Sequence, residues 1–162
     1  MSFDISIKQK DPNIVILPGE FEQYFRNRRL YKVEDCRYAD YFNEQTGASF
    51  TFVYGFREDG SADPKHNPDC EFADFTVSYG QASSQHKPTS DEASTELGSF
   101  VDHFKGLIFD PQIQNEKIFV EFSPTAFKAS LAESFGFGEK VKQTLEEKGE
   151  HILKPAKKWW PF

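Results

Sequence analysis

The chain has little of what usually assigns a protein to a class. Among its 162 residues there are only two cysteines, Cys36 and Cys70. Two cysteines cannot build a disulfide framework, although a single bridge stays open as an option. They also lack CxxC partners, so tight-paired structural zinc sites are excluded. Long apolar runs are missing too. The N-terminal stretch has no basic region followed by an apolar block, and its longest apolar run is Ile14-Val15-Ile16-Leu17. That is far short of a signal segment or a membrane span. The expectation is a cytoplasmic chain with free thiols and no membrane contact. The acidic middle of the chain argues against nucleic-acid binding, which needs a clustered basic face.

Aromatic side chains are abundant. There are 18 Phe, 6 Tyr and 2 Trp against one Met. Each buries roughly 150–250 Å², so a chain of this length can build a core without metal or disulfides. Charge is uneven. The net charge is −7, and residues 34–96 hold 13 acidic against 4 basic side chains. Such an excess keeps a protein soluble, and it also suits a basic protein partner.

Periodicity divides the chain as follows. Ile14–Leu17 reads as a buried strand, bounded by Pro12 and Pro18-Gly19. Glu20 to Tyr31 reads as a helix with Phe21, Tyr24 and Phe25 on one face. Ser49 to Arg57 alternates Phe50, Phe52, Tyr54 and Phe56 against mostly small or polar residues, the pattern of a strand. Its expected hairpin partner is Asp40-Tyr41-Phe42-Asn43, across a Thr46-Gly47 turn. A polar loop follows, and then a strand from Phe72 to Tyr79. Thr89-Ser90-Asp91-Glu92 has the spacing of a capping box. Behind it, Ala93, Leu97, Phe100, Val101, Phe104 and Ile108 trace an amphipathic stripe, with Gly106 as its stop. Gly98 inside this helix costs about 1 kcal/mol relative to Ala. Leu107–Phe109 and Lys117–Phe122 read as strands. Ser123-Pro124 opens a helix carrying Phe127, Leu131 and Phe135, and Gly136 and Gly138 are expected to separate it from a second one.

Strands cluster instead of alternating strictly with helices. The predicted fold is therefore α+β, an antiparallel or mixed sheet packed against helices, in a single domain over residues 1–162. Residues 154–162 form a distinct aromatic and basic tail. Its Trp159 and Trp160 either dock on the domain, anchor a partner, or touch a membrane weakly.

No local motif specifies a reaction. His66 and Cys70 beside Asp63 and Asp69 supply too few metal ligands. Asp59-Gly60-Ser61-Ala62-Asp63 lacks calcium-loop spacing. Gly136-Phe137-Gly138-Glu139-Lys140 lacks phosphate-loop spacing. No cofactor is expected. An enzyme would need a site assembled by the fold, with two of Cys36, Asp102, His103 and Glu121 within hydrogen-bond reach in a deep pocket.

The segment Tyr41-Phe42-Asn43-Glu44-Gln45-Thr46-Gly47-Ala48-Ser49-Phe50-Thr51-Phe52 resembles small bacterial immunity proteins. So do Phe72–Tyr79, Phe100-Val101-Asp102-His103-Phe104 and Asp110-Pro111-Gln112. The resemblance spans Tyr41 to Gln112 and ends there. It implies an antidote of a polymorphic-toxin system, of the contact-dependent or type VI kind, binding a cognate toxin domain stoichiometrically and carrying no catalytic residues. Glu58, Asp59, Asp63, Asp69, Glu71 and Asp74 are the expected carboxylates for meeting a cationic, nuclease-like surface, with Trp159 and Trp160 as a second contact. The remaining alternative is a phage or plasmid nucleic-acid mimic, which would need carboxylates at phosphate-like spacing along one face.

Overall fold

Alternation along residues 2–9 sets a strand that is paired on both sides. A computed structural model describes residues 2–55, 71–78 and 86–147, and in it β1 runs over Ser2–Gln9 with Phe3, Ile5 and Ile7 fully buried. The remaining elements are α1 (Pro18–Arg26), β2 (Tyr31–Glu34), β3 (Tyr38–Phe42), β4 (Ser49–Tyr54), β5 (Glu71–Ser78), α2 (His86–Phe104), β6 (Gly106–Phe109) and α3 (Pro124–Glu147). The strands form one sheet in the order β2-β3-β4-β5-β1-β6, and every pairing is antiparallel. The chain is a single α+β domain, with the three helices packed on one face of the sheet.

The covered face is built from rings. Phe25 of α1 and Phe100 of α2 both reach Phe52 of β4, at centroid distances of 5.1 and 4.7 Å. Phe127 of α3 meets Phe3 at 5.7 Å and Phe75 at 5.8 Å. A bulge between Ile7 and Lys8, where β1 pairs with β5, lets Phe72 and Ala73 both point inward. Phe72 is out of phase with Phe75 and Val77, so alternation alone would place it outside.

Several expectations need correction. Ile14–Leu17 is no strand. Only Ile16 is buried, under a Tyr54 hydroxyl that donates to its carbonyl at 2.7 Å. Leu17 instead leads into α1, and its N–H donates to Glu20 Oε2 at 2.8 Å. That helix ends at Arg26, because Arg28–Leu30 turn the chain into β2. Lys117–Phe122 makes only one bridge, Ile108 with Val120, and Ile118 and Val120 are exposed. Thr89-Ser90-Asp91-Glu92 lies inside α2, three residues beyond its start. Lys105, not Gly106, takes the left-handed conformation that stops α2, with φ 53°. Gly136 and Gly138 do not break α3, which is continuous.

Other expectations hold. Gly47 turns the β3–β4 hairpin with φ 74°, a region that costs glycine nothing. The Ser123 hydroxyl accepts from Ala126 N–H at 3.3 Å at the start of α3.

Gly98 has a packing reason. A Cβ there would lie 3.0 Å from Cε1 of Phe122, whose ring lies against the helix. Gly98→Ala should therefore fail to deliver the gain of about 1 kcal/mol expected at an open helix position. A double mutant with Phe122→Ala should recover it, as read by urea unfolding.

Candidate functional site

One sheet face carries the helices, and among the described residues no helix lies on the other. Its residues are the alternate positions of each strand: Lys32 and Glu34, then Tyr38, Asp40 and Phe42, Thr51 and Val53, Asp74 and Thr76, and Asp4, Ser6 and Lys8. Two large rings stand out on it, with Tyr38 at 42% exposure and Phe42 at 54%.

Two of the expected partner-binding carboxylates lie here. Glu71 faces Lys8 across the β1–β5 ladder and forms an ion pair with Lys117. Asp74 lies opposite Ser6, whose hydroxyl hydrogen-bonds to it. Burial pushes the Asp74 carboxyl up to about 6, assisted by the nearby charges of Glu71 and Asp4. The structure thus brings Glu71 and Asp74 together, with Glu71 already ion-paired to Lys117. Glu58, Asp59, Asp63, Asp69, Trp159 and Trp160 lie outside the described residues, as do His66, Cys70 and the 59–63 loop. On the open face the described carboxylates are interrupted by Thr51, Thr76, Val53 and Tyr38, so they form no continuous line of charge.

Alternation places Asp4 and Asp40 on the same face, although the charge count had drawn attention to the 58–74 region instead. Each is held by a hydroxyl. Ser2 Oγ donates to Asp4 Oδ2 at 2.7 Å, and Thr51 Oγ1 donates to Asp40 Oδ1 at 2.6 Å.

A cleft of about 710 Å³ opens at the β2–β3 end of the sheet, lined by Arg28, Tyr31, Tyr41, Phe42, Asn43 and Glu96 among others. Glu92 and Glu96 are one helical turn apart on α2. Glu96 Oε2 accepts from Arg28 Nη1 and from the Tyr31 hydroxyl, both at 2.9 Å. Glu92 Oε2 accepts from the Tyr41 hydroxyl at 2.6 Å and from Asn43 Nδ2 at 3.1 Å. Burial, and then the adjacent glutamates, raise the pKa of Tyr31 and Tyr41, which keeps both phenols as donors. The Arg28 guanidinium also stacks 4.1 Å from the Tyr24 ring centroid. Burial pushes the Tyr24 hydroxyl up to about 12. Glu92 reads in sequence as part of a helix cap. Its partnership with Tyr41 depends on β3 passing beside α2, which no local pattern reports.

The residues proposed for a fold-assembled enzyme site are dispersed. The Cys36 thiol donates to Glu22 Oε2 at 2.7 Å, from a turn in which Asp35 and Cys36 hold φ of 51° and 55°. Glu121 is paired with Lys10. His103 packs against Tyr24 and Phe104. Asp102 and Glu121 both line a second cleft of about 470 Å³, without a hydrogen bond between them among the described residues. The Glu22 hydrogen bond raises the Cys36 pKa, and the thiolate is the reactive form. Alkylation of Cys36 at pH 8, followed site by site by mass spectrometry, should run slower than for an ordinary cysteine and accelerate in Glu22→Gln.

Among the described residues no group of three or more His, Cys, Asp and Glu side chains is placed to hold a metal ion, and no helix is long and apolar enough to cross a membrane. No family model, curated protein or solved structure matches the chain.

Proposed function

We propose that the protein is a cytoplasmic immunity protein that binds a cognate bacterial toxin domain stoichiometrically and blocks it. The observation that carries this reading is the one-sided sheet. Helices cover one face, while the other presents exposed Tyr38 and Phe42 among the carboxylates of Asp4, Asp40 and Asp74. Aromatic rings are the usual anchors of protein interfaces, and charge of one sign steers an oppositely charged partner. The resemblance over Tyr41–Gln112 and the acidic middle of the chain support the same reading. Co-expression with the toxin domain encoded beside this gene is expected to restore growth and to yield a 1:1 complex on gel filtration. Unrelieved toxicity with no complex would sink the idea.

A second reading, an enzyme or small-ligand binder, has its own observation in the Arg28–Tyr31–Glu96 cleft. Mixed polar groups converging in a concave site are what such a function needs. Under that reading, a thermal-shift screen of nucleotides, sugars and amino acids returns a saturable hit that Glu96→Gln abolishes. An empty screen counts against it.

A further inference from the structure

We infer that Tyr38, Asp40 and Phe42 of β3 form a seat for an arginine side chain of a protein partner. This rests on the protein-binding reading above and names the chemistry of its contact. The three side chains are alternate residues of one strand, so they share the open face at spacings of about 7 Å. The carboxylate lies between two exposed rings, at 42% and 54% exposure. The seat is braced from β4. Thr51 lies directly opposite Asp40, and its hydroxyl fixes Oδ1 at 2.6 Å, leaving Oδ2 to other donors. Val53 lies opposite Tyr38 and Ser49 opposite Phe42, completing the floor. On the other side, Lys32 faces Asp40 in the β2–β3 register; its ammonium ion-pairs with Glu34 and also feels the Asp40 charge.

Charge selects a cation. Asp4 and Asp74 add negative potential on the same face, while Glu71 is ion-paired with Lys117. Shape selects arginine over lysine. A guanidinium is planar and weakly hydrated, and it stacks on aromatic faces while an N–H donates to the remaining carboxylate oxygen. An ammonium lacks the plane. Phe42 also lines the 710 Å³ cleft, so the seat continues into a recess that could take neighbouring partner residues.

The experiment is an NMR titration of the full ¹⁵N-labelled chain with three probes: the N-acetyl methylamides of arginine, lysine and glutamate. The expected result is saturable shifts at residues 38–42 and Thr51 with arginine, weaker shifts with lysine and none with glutamate. Asp40→Asn keeps an acceptor for Thr51 and should weaken the arginine response by about tenfold. Phe42→Ala should weaken it as well. The inference is overturned if arginine shifts fall elsewhere, if glutamate matches arginine, or if Asp40→Asn changes nothing. Shifts at 38–42 that depend on protein concentration alone would assign the face to a second copy of this chain, and would overturn it too. Toxin protection with no arginine response rejects the seat and leaves neutralisation standing. The reverse result keeps the seat and rejects neutralisation.

Discussion

Replacing Phe100 by alanine is expected to lower the unfolding free energy by about 3–5 kcal/mol, the usual cost of deleting a buried phenylalanine. Phe100 is fully buried and is the ring through which α1, α2 and the sheet meet. Its centroid lies 5.6 Å from Phe25 and 5.4 Å from Tyr24 of α1, and 4.7 Å from Phe52 and 5.8 Å from Phe72 of the sheet. Rings that interlock this closely collapse poorly into a void, which places the cost toward the upper end. Urea unfolding should show the midpoint falling with little change in slope, and Tm should drop by roughly 10 °C. Phe100→Leu refills most of the space and should cost about 1–2 kcal/mol. Similar costs for the two substitutions would contradict the hub role.

The second large effect is a pH dependence at Asp74. Its carboxyl is raised from 3.8 to about 6, first by burial and then by Glu71 and Asp4, with Ser6 and Lys117 opposing. A raised carboxyl stabilises the fold fully below the unfolded value near 3.8, and that contribution is lost as pH climbs through about 6. Asparagine mimics the neutral acid at every pH. Asp74→Asn should thus be near neutral at pH 4 and increasingly stabilising toward pH 7, then level. At about 1.4 kcal/mol per unit the ceiling is about 3 kcal/mol, and partial access to water makes about 1–2 kcal/mol the expected gain. Urea melts of both proteins between pH 4 and 8 check this. A difference that stays constant with pH would refute the assignment. A basic partner seated on the open face would lower the same pKa, so binding near pH 6 should release protons.

Legibility in the sequence followed the range of the physics. The β3–β4 hairpin could be read from Tyr41–Phe56, because a two-residue period and a Thr46-Gly47 turn are local. The same period over Phe3, Ile5 and Ile7 was equally readable, yet β1 drew no attention beside the continuous run at Ile14–Leu17. That run proved a connector, since three of its four side chains face solvent. The Lys117–Phe122 alternation was genuine but gained only one bridge to β6 among the described residues, with Ile118 and Val120 exposed. For the candidate site, Asp74 and Glu71 were named from charge alone. Their unequal states, one ion-paired and one half-buried, depend on Lys117 and Ser6, which come from distant parts of the chain.

By itself, then, the sequence determined the composition of the core, the α+β class and most element positions. These rest on periodicities of two and 3.6 residues, and on turn residues whose preferences act within a few bonds. Only the tertiary structure decided that β1 lies between β5 and β6, that Phe72 turns inward at a bulge, and that all three helices choose one face. It alone put Glu92 and Glu96 beside Tyr41 and Tyr31, and left Tyr38 and Phe42 exposed on either side of Asp40. Those outcomes come from pairing and packing between residues far apart in the chain.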